Sequence, residues 1–381
     1  MKFAATFIIG AGASAEFNLP VGRKLLEDVA KAFEFSTTYP DWDDWVSKSP
    51  IAAAVYRYAA QPRSEETFQK YTDAAKRIYK GATLSTSIDR FINIHKRNQE
   101  LTLLAKLAIC KVIFEAERES TIAPTYRQEV KRGSRIRNRS NFDIRYLYGT
   151  EKVVKPADTW LAKVFRILAE DVEFDEFLRN LSTVAFVCFN YDRCIERFFL
   201  IAARDFFPES DFDETKLIES LNIVHPYGSL GKRNSLEGEE WFGIKPQDRD
   251  LMEAADQIRT FTEGAQNDEI VAGISSYLRQ TENIFFMGFG FLELNLRLLA
   301  GSGPFQANRV YATFFGIPEN DVRRLRNGIF DSFVAGGMRN RTLSDNSWVF
   351  GGDFRCSELI DVHGLEIANK LLRSRDGFGY H

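Results

Sequence analysis

Phe3-Ala4-Ala5-Thr6-Phe7-Ile8-Ile9-Gly10-Ala11-Gly12-Ala13-Ser14 opens the chain, and its reading decides the fold. Residues 3–9 carry one polar side chain and no breaker, as a strand buried on both faces does. The two glycines that follow predict a tight turn. Leu19-Pro20-Val21-Gly22 then leads into an apolar-periodic helix expected from Lys24 to Phe35. A strand, a Gly-x-Gly turn and a helix start can present backbone N–H groups to an anion such as a pyrophosphate. Taken alone, the same turn fits a plain βα connection equally well.

Three more segments share the design. Val184–Cys188 continues into Phe189-Asn190-Tyr191-Asp192, Ile223-Val224 runs into His225-Pro226-Tyr227-Gly228-Ser229, and Ile284–Met287 ends in Gly288-Phe289-Gly290-Phe291-Leu292-Glu293-Leu294-Asn295. Each polar cluster follows the carboxyl end of a predicted strand, the edge at which open parallel sheets bind ligands. From residue 183 strands and helices alternate: 183–189, 191–204, 222–225, 268–282, 283–288, 292–299 and 309–315. That pattern predicts an α/β protein with a Rossmann-like, doubly wound parallel sheet.

Between the first two strands the chain is helical in pattern. Ser64 with Glu65 and Glu66 starts a helix that Gly81 can end. Thr86-x-x-Asp89 begins another, running through Ile88, Phe91 and Ile92 and on to Phe114. A third spans Asp158–Val172 with Leu161, Val164, Phe165 and Leu168 on one stripe. The expected organisation is a sheet domain from 1–40 and 183–327, a helical insertion over 41–182 and a C-terminal extension over 328–381.

The order of these clusters, a Gly-x-Gly turn, Asn-x-Asp, a His and a second glycine turn, resembles the sirtuin superfamily over about half of the chain. Phe-Asn-Tyr-Asp, Gly-Phe-Gly-Phe-x-Glu-x-Asn and Ser87-Ile88-Asp89-Arg90-Phe91 are similar to the sirtuin-like domains of bacterial anti-phage defence. The resemblance implies that Gly10, Gly12, Ser14 and Arg23 (in Pro20-x-x-Arg23), with Gly228, Ser229, Gly288, Gly290 and Glu293, bind NAD+. It implies that Asn190 and Asp192 contact the nicotinamide-side ribose. His225 is the expected base, although the family's His directly precedes the Gly, where this chain has Tyr227. Protein-deacylating sirtuins hold zinc with two Cys pairs. Cys110, Cys188, Cys194 and Cys356 form no Cys-x-x-Cys, so no zinc is expected.

The implied activity is scission of NAD+, a substrate here, to nicotinamide and ADP-ribose, as the cytoplasmic effector of anti-phage defence by NAD+ depletion. The alternatives are an NAD-dependent protein deacylase or ADP-ribosyltransferase, or an inactive nucleotide-sensing module. No P-loop is present, so gating by a separate HerA-type ATPase is expected, or by a short Argonaute protein, in a homo-oligomer.

Composition sets bounds. At 381 residues the chain suits two domains, and 44% apolar content with 33 Phe supports a large core. A net charge of −3 disfavours a nucleic-acid coat, although the basic run Arg127–Arg145 leaves direct contact open. No apolar run approaches the roughly 18–20 residues that cross a bilayer. Met1-Lys2 runs straight into the first strand, so no signal segment is expected. His95 reads as structural, His363 is out of order for a base and His381 is terminal.

Overall fold

The computed structural model describes residues 3–34, 42–123, 156–231, 242–301, 307, 309–334 and 349–368. The basic run 127–145 and His381 lie outside them. A six-stranded sheet forms the centre, built from β1 (Phe3–Ile9), β2 (Val184–Cys188), β3 (Asn222–Val224), β4 (Thr281–Met287), β5 (Arg309–Thr313) and β6 (Val349–Gly352). All the pairings are parallel and the order is β3-β2-β1-β4-β5-β6. The chain direction across the sheet reverses between β1 and β4, the crevice where doubly wound folds take their ligands.

Period-two alternation along each strand sorts side chains onto two cores. On one face Phe186, Phe7, Phe285 and Tyr311 stand in register across four strands. Their ring centroids step 5.4, 5.0 and 4.6 Å apart, within the offset-stacking range. Helices Trp160–Ala169, Phe174–Leu181, Cys194–Phe206 and Cys356–His363 cover that row. On the other face Val187, Ile8, Phe286 and Ala312 meet helices Gly22–Lys31, Gln99–Glu119, Asp268–Arg279 and Glu293–Ala300. The sheet is therefore doubly wound, as its sequence pattern predicted.

The helices between β1 and β2 do not keep a core of their own, since Gln99–Glu119 belongs to one face and Trp160–Ala169 to the other. The expected helix from Thr86 onward is two helices. Ser87 Oγ caps Ile88–Ile94, and Asn98 caps Gln99–Glu119. The stretch beyond 328, expected as an extension, supplies β6 and the helix Cys356–His363. Glu16, buried behind the first turn, fastens that tail: its carboxylate accepts the amides of Trp160 and Ser357, both at 2.8 Å.

Candidate functional site

Gly10, Gly12 and Gly288 interlock at the carboxyl ends of β1 and β4. Gly10 N donates to Met287 O and Gly12 N to Gly288 O, each at 3.0 Å, while Ala13 N closes the turn on Gly10 O. A Cβ on Gly10 would lie 2.6 Å from Gly288 O, and one on Gly12 2.8 Å from Gly288 Cα. Gly288 has φ +54°, and its Cβ would meet Ala13 N at 2.1 Å. Glycine is needed here so that two backbones can touch. The amides of Gly10 and Gly12 are consequently engaged inside the protein, where the sequence reading had them facing an anion.

A helix start also borders the crevice. Helix Gly22–Lys31 starts after Pro20-Val21 with no side-chain cap, and Pro20, Val21, Gly22 and Leu25 line a cavity of about 290 Å³. An uncapped helix start carries partial positive charge. The cavity's other walls come from both glycine turns (Gly10, Gly12, Gly288 and Gly290), from Asn190 and Asp192 after β2, and from Tyr227 after β3. Its size is near the small end of ligand sites, which run from about 300 to 1,000 Å³.

Asn190 and Asp192 are 7% and 5% exposed, and a directed hydrogen-bond chain joins them. Asn190 Nδ2 donates to Gly10 O at 3.0 Å and to Ser14 Oγ at 2.8 Å. Because Gly10 O only accepts, the carboxamide's orientation is decided. Ser14 Oγ then donates to Asp192 Oδ1 at 3.1 Å, which also accepts Cys194 N at 3.1 Å. With both Nδ2 hydrogens engaged, the side chain offers a ligand its acceptor Oδ1. Burial pushes the Asp192 pKa up, against the lowering effect of the Ser14 and Cys194 bonds.

Asp89, Tyr191, Tyr227 and Asn295, four residues that the sequence pattern did not assign to the site, also line it. Asp89, on Ile88–Ile94, accepts a short hydrogen bond from Tyr191 Oη, and burial raises its carboxyl pKa. Tyr227 Oη donates to Asn295 Oδ1 at 2.5 Å. Burial raises the pKa of Tyr227, so its hydroxyl stays protonated and donates. The tyrosine rings lie 6.4 Å apart, so Asp89–Tyr191 and Tyr227–Asn295 form one wall. Only the Ser87–Phe91 motif could have pointed to Asp89.

Glu117, fully buried near the end of Gln99–Glu119, ties that helix to the loop after β2 and to Gly243. Its carboxylate pairs with Arg193 Nη2 at 2.5 Å and takes the amides of Arg193 and Gly243 at 3.1 and 3.2 Å.

Six expected site residues stand off the cavity wall, Ser14 among them, which bonds to Asn190 and Asp192 from behind. Arg23 is exposed and paired with Glu27, and Glu293 is exposed and paired with Arg297. Gly228 packs against the Gln257 carbonyl with φ +74°, and Ser229 Oγ donates to Gly231 O at 3.4 Å. His225 lies behind Asn190. Its Nδ1 is 3.0 Å from Asn190 O and its Nε2 is 3.0 Å from Glu196 Oε1.

The four cysteines are free thiols buried in the core. Among the described residues no group of three or more His, Cys, Asp or Glu side chains is placed to hold a metal, and no helix is long and apolar enough to cross a membrane. Comparison with family models, curated proteins and solved structures gave no match.

Proposed function

We propose that this chain is a sirtuin-like NAD+ glycohydrolase that releases nicotinamide and ADP-ribose. The observation that carries this reading is the cavity at the β1/β4 reversal, walled by both glycine turns and by Asn190 and Asp192. Cleavage of the nicotinamide–ribose bond sends its electron pair to the ring nitrogen, so nicotinamide departs neutral and no acid is needed. The sugar passes through an oxocarbenium-like state, as glycosides do. Asp192, 5% exposed and on the cavity wall, favours that positive charge when ionised. Asn190 Oδ1 accepts from a ribose hydroxyl or from the attacking water, which forms the new C–O bond and loses its proton to solvent or a nearby carboxylate. The uncapped start of Gly22–Lys31 suits the phosphates.

The role in anti-phage defence, the cytoplasmic setting, assembly into a homo-oligomer and gating by a HerA-type ATPase (or a short Argonaute) extend the same reading, and they rest on the sequence resemblance. Incubating the purified chain with NAD+, alone and with the partner, and separating the products tests it. Nicotinamide with free ADP-ribose supports hydrolysis. ADP-ribose on protein or an acyl-ADP-ribose indicates transfer, and binding without turnover indicates a sensing module.

A further inference from the structure

His225 has two oxygen neighbours, and one of them, the main-chain carbonyl, can only accept. Nδ1 faces the main-chain carbonyl of Asn190 and Nε2 faces the Glu196 carboxylate, each at 3.0 Å. A neutral imidazole has one N–H and one lone pair. With Glu196 ionised, either neutral tautomer would press a lone pair against an oxygen in a site where the His225 and Glu196 side chains are only 10% and 8% exposed. The arrangement is satisfied when both ring nitrogens carry hydrogen and Glu196 carries the compensating charge. A ring in that state has no lone pair to take a proton, and it does not line the cavity.

We propose that His225 and Glu196 form a buried imidazolium–carboxylate pair that positions Asn190 from behind the cavity wall. His225 holds the main-chain oxygen of Asn190, while Gly10 O and Ser14 Oγ hold its carboxamide. The residue is thus clamped at both ends, with Oδ1 left toward a ligand. Glu196 comes from helix Cys194–Phe206, so that helix sets the reach of the clamp. The groups facing the pair are Cys188 on β2, Arg193 on the connection after it and Cys194 at the start of the helix that carries Glu196. Burial disfavours both charges. The Glu196 carboxylate nonetheless raises the His225 pKa, and His225 and Arg193 lower that of Glu196. Cys188 stays a neutral thiol because burial raises its own pKa.

The catalytic consequence rests on the NAD+ reading, whereas the pair itself does not. Nitrogen-15 NMR of the full chain with labelled histidine and asparagine reads both. The His225 ring should show imidazolium shifts from about pH 6 to about 8, a range in which an ordinary histidine with pKa near 6.5 deprotonates. Glu196→Gln keeps an acceptor but removes the charge. It should lower the ring's titration midpoint by at least about one unit and shift the Asn190 amide resonances. A neutral ring at about pH 7.5 in the unmodified protein, or Asn190 resonances unmoved by Glu196→Gln, overturns the proposal. If NAD+ is turned over, kcat should be flat across the same range. A rate limb that tracks a His225 titration would make it a base and also overturn the proposal. Absence of any turnover would sink the NAD+ reading and leave the NMR result to decide the pair.

Discussion

Ser14 Oγ donates to Asp192 Oδ1 at 3.1 Å, joining the turn after β1 to the loop after β2. The same hydroxyl accepts from Asn190 Nδ2 at 2.8 Å, so one small side chain sets the geometry of both polar residues on the wall. Ser14→Ala should leave a buried donor and a buried acceptor short of a partner. Two such losses cost about 1–3 kcal/mol each before relaxation. Denaturant unfolding is expected to show a loss in that range, with NAD+ turnover falling in parallel. Unchanged stability would mean that water replaces the hydroxyl.

Asn190→Ala should lower NAD+ cleavage at least about 100-fold, the lower bound for a positioned acid–base or orienting group, and leave the circular dichroism spectrum unchanged. Retention of more than about a tenth of the activity would remove Asn190 from the chemistry.

The two glycines of the second turn should behave oppositely. Gly288→Ala forces a left-handed φ of +54° and places Cβ 2.1 Å from Ala13 N. Strain and overpacking together should cost about 3–5 kcal/mol or prevent folding. At Gly290 the nearest atom to an added Cβ is Leu292 Cγ at 4.0 Å, so Gly290→Ala should fold normally. Thermal melts of the two variants side by side check this.

Glu117→Ala leaves Arg193 buried, the second carboxylate oxygen gone and the Gly243 amide without its acceptor. Breaking a buried pair by removing one partner costs about 3–5 kcal/mol. The measurable outcome is a comparable fall in unfolding free energy.

The His225–Glu196 pair should stabilise the fold in a bounded pH window. The raised His225 pKa means its contribution is complete below the unfolded-state value near 6.5 and is lost as pH rises through the higher folded value. The lowered Glu196 pKa means its contribution is present above the unfolded-state value near 4.5 and is lost as pH falls through the lower folded value. The stability gap between the natural chain and Glu196→Gln should therefore be widest, about 2 kcal/mol, near pH 5–7 and narrow on both sides. A gap that keeps growing above about pH 9 would contradict the sign. Unfolding titrations across that range read it directly.

By itself the sequence determined the parallel sheet and the edge at which its polar residues gather. Runs such as Phe3–Ile9 and Ile284–Met287 are apolar on both faces, and the Gly-x-Gly and Asn-x-Asp clusters sit where each run stops. Those are local signals, carried by hydrophobic pattern and turn chemistry over a few residues. Contacts far apart in the chain were decided only by the tertiary structure. The glycines at 10 and 12 are needed because residue 288 presses on them, a contact between segments nearly 280 positions apart. Asp89 reaches the cavity because Tyr191 meets it across the fold, and His225 stands off the cavity wall, paired with Glu196 in the first turn of Cys194–Phe206. The tail beyond 328 has too weak a pattern to be read alone, yet β5 offers an open edge for hydrogen bonds and β6 pairs with it. Side-chain direction, and therefore which polar groups share a cavity, depends on packing that no single stretch of sequence contains.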